Sequence, residues 1–135
     1  MSYDDNNIFA KILRGEIPCK KIYEDEFVLS FHDINPQKKV HALVIPKGKY
    51  VNLEDFTSKA SSDEIVGLMK GISTVAKKIG ISSIDNEGFR TLSNVGDNGG
   101  QEVPHLHFHL FGGEKVGRMV PVSYTHLRAH ETVHY

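Results

Sequence analysis

Residues 105–110 read His-Leu-His-Phe-His-Leu, a strict alternation of imidazole and apolar side chains. Successive side chains of a strand point to opposite faces, so a period of two predicts a strand with two unlike surfaces. Leu106, Phe108 and Leu110 need an apolar layer behind them. His105, His107 and His109 then stand in a row on the other face. The expected strand runs from Val103 to Phe111, and Gly112-Gly113 ends it.

The rest of the chain supplies a framework for such a strand. Asp5 to Asn7 offer N-cap side chains, and Ile8, Phe9, Ile12 and Leu13 follow at helical spacing. Gly15 and Pro18 close that short helix. Lys21 to Glu24 and Phe27 to Phe31 read as short strands around the acidic turn Glu24-Asp25-Glu26. Asn35-Pro36 marks a turn. Val40 to Ile45 is apolar and rich in β-branched residues, hence a buried strand that stops at Pro46. Ser61 to Ile79 is the long helix, with a capping box from Ser61 and Glu64 and a C-cap at Gly80. Its apolar face is Ile65, Leu68, Met69, Ile72, Val75, Ala76 and Ile79. Phe89 to Ser93 is a further strand. One long and one short helix with about five strands, joined early by hairpin-like links, predict an α+β fold with a mostly antiparallel sheet.

Charge and composition narrow the function. The 135 residues suffice for one domain with a real core, and their 39% apolar content suits a globular protein. Sixteen basic residues against seventeen acidic ones provide no basic field for a nucleic-acid backbone, although a small nucleotide is still admissible. Cys19 is the lone cysteine, so no disulfide framework is expected and a reducing compartment is; the thiol itself reads as small and inert. Met1 to Asn7 is polar and acidic, unlike the basic start of a signal peptide. No apolar run approaches the roughly 18 residues that span a bilayer. The expectation is a cytoplasmic protein that avoids both membranes and nucleic acid. The domain is expected over residues 1–121. Residues 122–135 change composition abruptly and read as a disordered or appended tail. His126, His130 and His134 would share one face of a helix there, but no acidic or thiol ligand accompanies them.

Three uses of the histidine row are open on spacing alone. Neutral imidazole is a nucleophile with a pKa near working pH, and a neighbouring acceptor can fix its tautomer. Imidazole attack on phosphorus gives a phosphoryl- or nucleotidyl-histidine that water then cleaves, with no cofactor required. Two histidines at i and i+2 plus a third from elsewhere can instead ligate zinc. Or the row is a set of structurally satisfied histidines. Asn94 to Gln101, a loop dense in glycine, feeds straight into the row and favours a phosphate, since glycine lets backbone N–H groups approach an anion. Neither GxxxxGK[ST] nor GxGxxG is present, so P-loop and dinucleotide folds have no support.

The alternating run His105 to Phe111 resembles the signature of the histidine triad family. Gly99-Gly100-Gln101-Glu102-Val103 before it and Gly112-Gly113 after it resemble that family's nucleotide-binding branch. Ile8-Phe9, Glu16-Ile17-Pro18, Phe31-His32-Asp33-Ile34-Asn35-Pro36 and His41 to Lys47 match in order, so the likeness spans about Asn7 to Gly113. It implies an α+β homodimer that hydrolyses the P–N bond of purine nucleoside phosphoramidates and releases a nucleotide such as AMP. It implies that His107 attacks phosphorus, that His109 contacts the phosphate, and that His105 and His41 support the nucleophile by hydrogen bonding. Asp33 would accept from ribose hydroxyls. Ile8, Phe9, Ile12, Phe31, His32, Ile34 and Leu43 would line the base pocket, and Asn94, Gly100, Gln101 and Val103 would surround phosphate and leaving group. The same likeness admits a nucleotide-binding regulator with little turnover, or a dinucleoside polyphosphate hydrolase. Two departures stand out. Glu102 occupies a place where some members carry a serine thought to assist the leaving amine, and the tryptophan-containing ending of some members is missing.

Overall fold

The computed structural model describes residues 2–119. The expected tail, its three histidines and the 121/122 domain boundary lie outside the described residues.

Asn7 starts helix α1, Ile8–Leu13, by accepting from the Ala10 N–H at 2.9 Å. Strands β1 (Lys21–Glu24), β2 (Val28–His32) and β3 (Val40–Pro46) follow. Helix α2, Leu53–Lys59, is an element the sequence reading lacks. Its seven residues bury one phenylalanine, Phe56, too little to show a periodic face. Its signal is the cap: Asn52 accepts from Asp55 N–H while Asp55 accepts from Val51 N–H. Helix α3, Ser62–Lys78, carries the expected capping box of Ser61 and Glu64. It ends in a Schellman motif: Gly80, at φ 75°, donates to Lys77 O, and Ile81 donates to Ala76 O. Strands β4 (Arg90–Leu92) and β5 (Phe108–Gly112) complete the chain of elements.

All pairings in the five-stranded sheet are antiparallel, in the order β1-β2-β3-β5-β4. The two faces are covered by different helices. On one face Val28, Ala42, Val44 and Leu110 pack with Leu68, Ile72, Val75 and Ala76 of α3. On the other, Leu29, Phe31, Leu43 and Ile45 pack with Phe9 of α1, and half-buried Cys19 adjoins this layer. The alternation of β3 sorts its side chains between the layers, which is why the strand reads as a continuous apolar run. The α1 layer covers only part of its face. The remainder, over β3 and β5, is open and carries the histidines. Among the described residues no helix is long and apolar enough to cross a membrane.

Candidate active site

The register places two histidines side by side. His41 on β3 pairs with Phe111 on β5, and Leu43 pairs with His109. Odd-numbered side chains of these strands share the α1 face, so His41, Leu43, His109 and Phe111 border one opening. His41 Nε2 lies 3.0 Å from His109 Nδ1.

The expected strand Val103 to Phe111 is shorter than predicted, beginning at Phe108. The alternation of faces persists without the ladder: Leu106 sits in the α3 core, 1% exposed, while His105 and His107 turn the other way. Pro104 has no N–H to donate to a ladder. The backbone of 105–107 finds other partners. Leu106 N–H donates to Tyr50 O at 2.8 Å, and Ser93 Oγ donates to His107 O at 2.8 Å. The His105 carbonyl is thereby free for a side chain, and His107 Nδ1 lies 2.7 Å from it.

These partners assign the tautomers, because carbonyls only accept and amides only donate. His107 Nδ1 must carry its proton toward His105 O, leaving Nε2 as a bare lone pair. His105 Nε2 must donate to Pro46 O at 2.9 Å, so its Nδ1 accepts from the Tyr3 hydroxyl. The Gln37 N–H points at His41 Nδ1 at 3.1 Å, so His41 carries its proton on Nε2. His41 therefore donates to His109 Nδ1, and His109 presents Nε2–H as a donor. Burial, which penalises charge, lowers the pKa of all four rings. It pushes His105 and His109 down to about 4, and for His109 the neighbouring His107 and His41 add to the effect. Hydrogen bonding to His105 O and the nearby Asp33 and Glu102 charges partly offset burial for His107. The four imidazoles are neutral at pH 7, so the lone pair of His107 is available for attack.

Asp33 does two things. One carboxylate oxygen accepts from Asn35 N–H at 2.8 Å, an Asx turn, and the other lies 3.5 Å from His41 Nε2. Asp33, His41 and His109 bring three ligand atoms within 4.8 Å of one another, enough for a metal ion. The His41 tautomer opposes that use. A metal on Nε2 would require the proton on Nδ1, where it would meet the Gln37 N–H head-on.

The opening is a cavity of about 350 Å³ lined by Phe9, Asp33, His41, Leu43, Asn94, Gly100, Glu102, Val103, His107 and His109, all named from sequence. Asn35, Gln37, Leu92 and Phe111 complete its wall and were missed. Phe111 extends the i+2 series from His109, and Leu92 pairs with His109 across β4 and β5. The other expected residues stand elsewhere. His105 is buried behind His107. Phe31 is 4% exposed in the α1 layer and meets Phe9 edge-on at 5.6 Å, while Ile12 packs against that layer. Ile8, His32 and Ile34 face solvent, Ile34 at 80% exposure. Gln101 is a strut: its amide donates to Val51 O and Val103 O and accepts from Gly96 N–H. The glycine-rich loop offers fewer free donors than its composition implied. The N–H groups of Gly96, Gly100 and Gln101 are spent within it, and Asn94 and Gly100 are its contribution to the wall.

Fold and site together define a small antiparallel α+β protein with a neutral histidine, bonded through Nδ1, at the edge of a cavity. The HIT domain model matches residues 14–116, and the chain belongs to that family. A 13.2 kDa HIT-like protein of Azospirillum brasilense is 53% identical over 119 residues, covering 88% of this chain and 95% of the relative. A HIT family hydrolase from Clostridium thermocellum superposes with a TM-score of 0.74 at 35% identity, covering 87% of this chain and 99% of that one. A histidine triad nucleotide-binding protein from Candida albicans superposes with a TM-score of 0.70 at 29% identity, covering 87% and 86%. Kinship with family hydrolases supports a hydrolase.

Proposed function

We propose that this protein hydrolyses purine nucleoside phosphoramidates to a nucleoside monophosphate and an amine through a nucleotidyl-His107 intermediate. The observation that carries the reading is the bond from His107 Nδ1–H to the His105 carbonyl, which leaves Nε2 unprotonated beside the cavity. In the first step Nε2 forms a bond to phosphorus as the P–N bond breaks, and the departing nitrogen takes up a proton from solvent at the rim, where Glu102 is exposed. In the second, water forms a P–O bond as the P–Nε2 bond breaks, releases a proton to solvent and restores the neutral His107 ring. His109 Nε2–H is the donor to a phosphate oxygen. Asp33 is the acceptor for ribose, and a base would lie toward Phe9 and Leu43. No metal enters this sequence, and the protein is proposed to work as a homodimer in the cytoplasm.

The wall favours this substrate over a dinucleoside polyphosphate. It holds two carboxylates, Asp33 and Glu102, with neither lysine nor arginine among its lining residues. A singly charged phosphoramidate is tolerated there far better than a polyphosphate chain. The relatives described as a hydrolase and a nucleotide-binding protein support the same reading. Mass spectrometry of a quenched reaction with an adenosine phosphoramidate tests it. AMP attached at His107 is the expected result, and His107→Ala is expected to bind AMP without turnover. Turnover by that variant at the parent rate would refute the reading.

A further inference from the structure

His105 is fully buried, and both of its ring nitrogens are engaged. The Nε2–H bond to Pro46 O ties the ring to the end of β3. The other nitrogen is served by Tyr3, whose hydroxyl lies 2.5 Å from His105 Nδ1. Tyr3 also packs edge-on against the ring, with centroids 5.6 Å apart. The segment bearing Tyr3 is fastened to the body. Asn7 Nδ2 donates to Asp4 O, Arg14 donates to Asp5 O, and the Asp5 carboxylate pairs with Lys49 Nζ at 2.8 Å.

From this chain of contacts we infer that Tyr3 is a positioning residue for the nucleophile, acting through His105 on the tautomer of His107. The inference rests on the proposed role of His107. Tyr3 is outside the cavity lining and touches no reacting atom. Its hydroxyl is the donor that makes the Nε2–H form of His105 the satisfied one. Without it, Nδ1 is a buried acceptor with no partner, and the ring gains by turning toward another donor. Turning breaks the bond to Pro46 O and frees the backbone of 105–107 to shift. The His105 carbonyl then no longer fixes the proton on His107 Nδ1, and the fraction of His107 with a bare Nε2 falls. The rate of the chemical step falls with that fraction, while nucleotide affinity, set by the cavity wall, does not.

Tyr3→Phe in the full chain tests this, since it keeps the ring and removes the hydroxyl. Long-range ¹H–¹⁵N spectra report which ring nitrogen of each histidine carries hydrogen, independently of any substrate. The expected result is a changed His105 Nδ1 resonance and a loss of the single His107 tautomer. With an adenosine phosphoramidate, kcat is expected to fall about tenfold, the scale of lost outer hydrogen bonds around a catalytic group, at unchanged KM. Unchanged His107 resonances would overturn the inference, as would equal losses in kcat and AMP affinity, which mark a merely structural residue. If the parent protein turns over no phosphoramidate, the proposed function fails, and the tautomer spectra still decide the role of Tyr3.

Discussion

Acidification to pH 5 is expected to destabilise the protein through its buried histidines well before its carboxylates titrate. His105 drops from an ordinary value of 6.5 to about 4 in the folded state because burial excludes its charged form. The folded ring refuses a proton that the unfolded chain accepts. Its stability is therefore intact above pH 6.5 and is lost as pH falls toward 4. At about 1.4 kcal/mol per pK unit, His105 alone removes about 2 kcal/mol at pH 5. His109 acts in the same direction, discounted because solvent reaches it. His41 and His107 are also lowered and add to the loss. Urea denaturation at pH 7 and pH 5 measures the total, and His105→Gln isolates the main part. That variant is expected to be weaker at pH 7, yet to lose about 2 kcal/mol less between the two pH values. Equal pH-dependent losses in parent and variant would refute the assignment.

Three further outcomes follow from the same structure. The pH profile of kcat/KM on a phosphoramidate should be flat near neutrality and fall on the acid side with a midpoint below 6.5, because attack needs neutral His107 and burial holds its pKa down; a rate that rises on acidification would contradict it. Ser61→Ala removes the capping box of α3 and should cost about 1 kcal/mol, read from the urea midpoint. Gly112→Ala places a Cβ 2.7 Å from Ile81 Cγ2 and should cost about 1–3 kcal/mol by overpacking, read from a thermal melt.

What the sequence revealed of the fold depended on how local the cause was. The capping box at Ser61 and the apolar face behind it set α3 almost to the residue, since both are short-range signals. The β1–β2 hairpin was readable from the acidic turn between its strands, and β3 from a β-branched run that stops at Pro46. Helix α2 was not readable, because it is held by caps and one buried ring rather than by a repeating face. The cavity wall was legible at His107 and His109 from the alternation, and at Asp33 and His41 from the family resemblance. It was not legible at Gln37, whose contribution to the histidines is a backbone N–H that any residue except proline would supply. Tyr3 was hidden for another reason: its partner lies 102 positions away, and nothing local marks the tyrosine.

The histidine row shows the limit most sharply. Alternation predicted the faces correctly from Leu106 to Leu110, because a period of two follows from extended backbone whether or not a neighbour is hydrogen-bonded. It did not predict where the ladder starts, and the chemistry depends on that point. Had β5 begun at Val103, a partner strand would compete for the His105 carbonyl, and the His107 proton would have no assured acceptor on Nδ1. Pro104 helps prevent this by withholding an N–H, and Tyr50 and Ser93 take up neighbouring polar groups. The proposed nucleophile is therefore positioned by a strand that stops short. His107 lies immediately before the first paired residue, Phe108, where the side chain still points into the open face and the preceding carbonyl is free to set its tautomer.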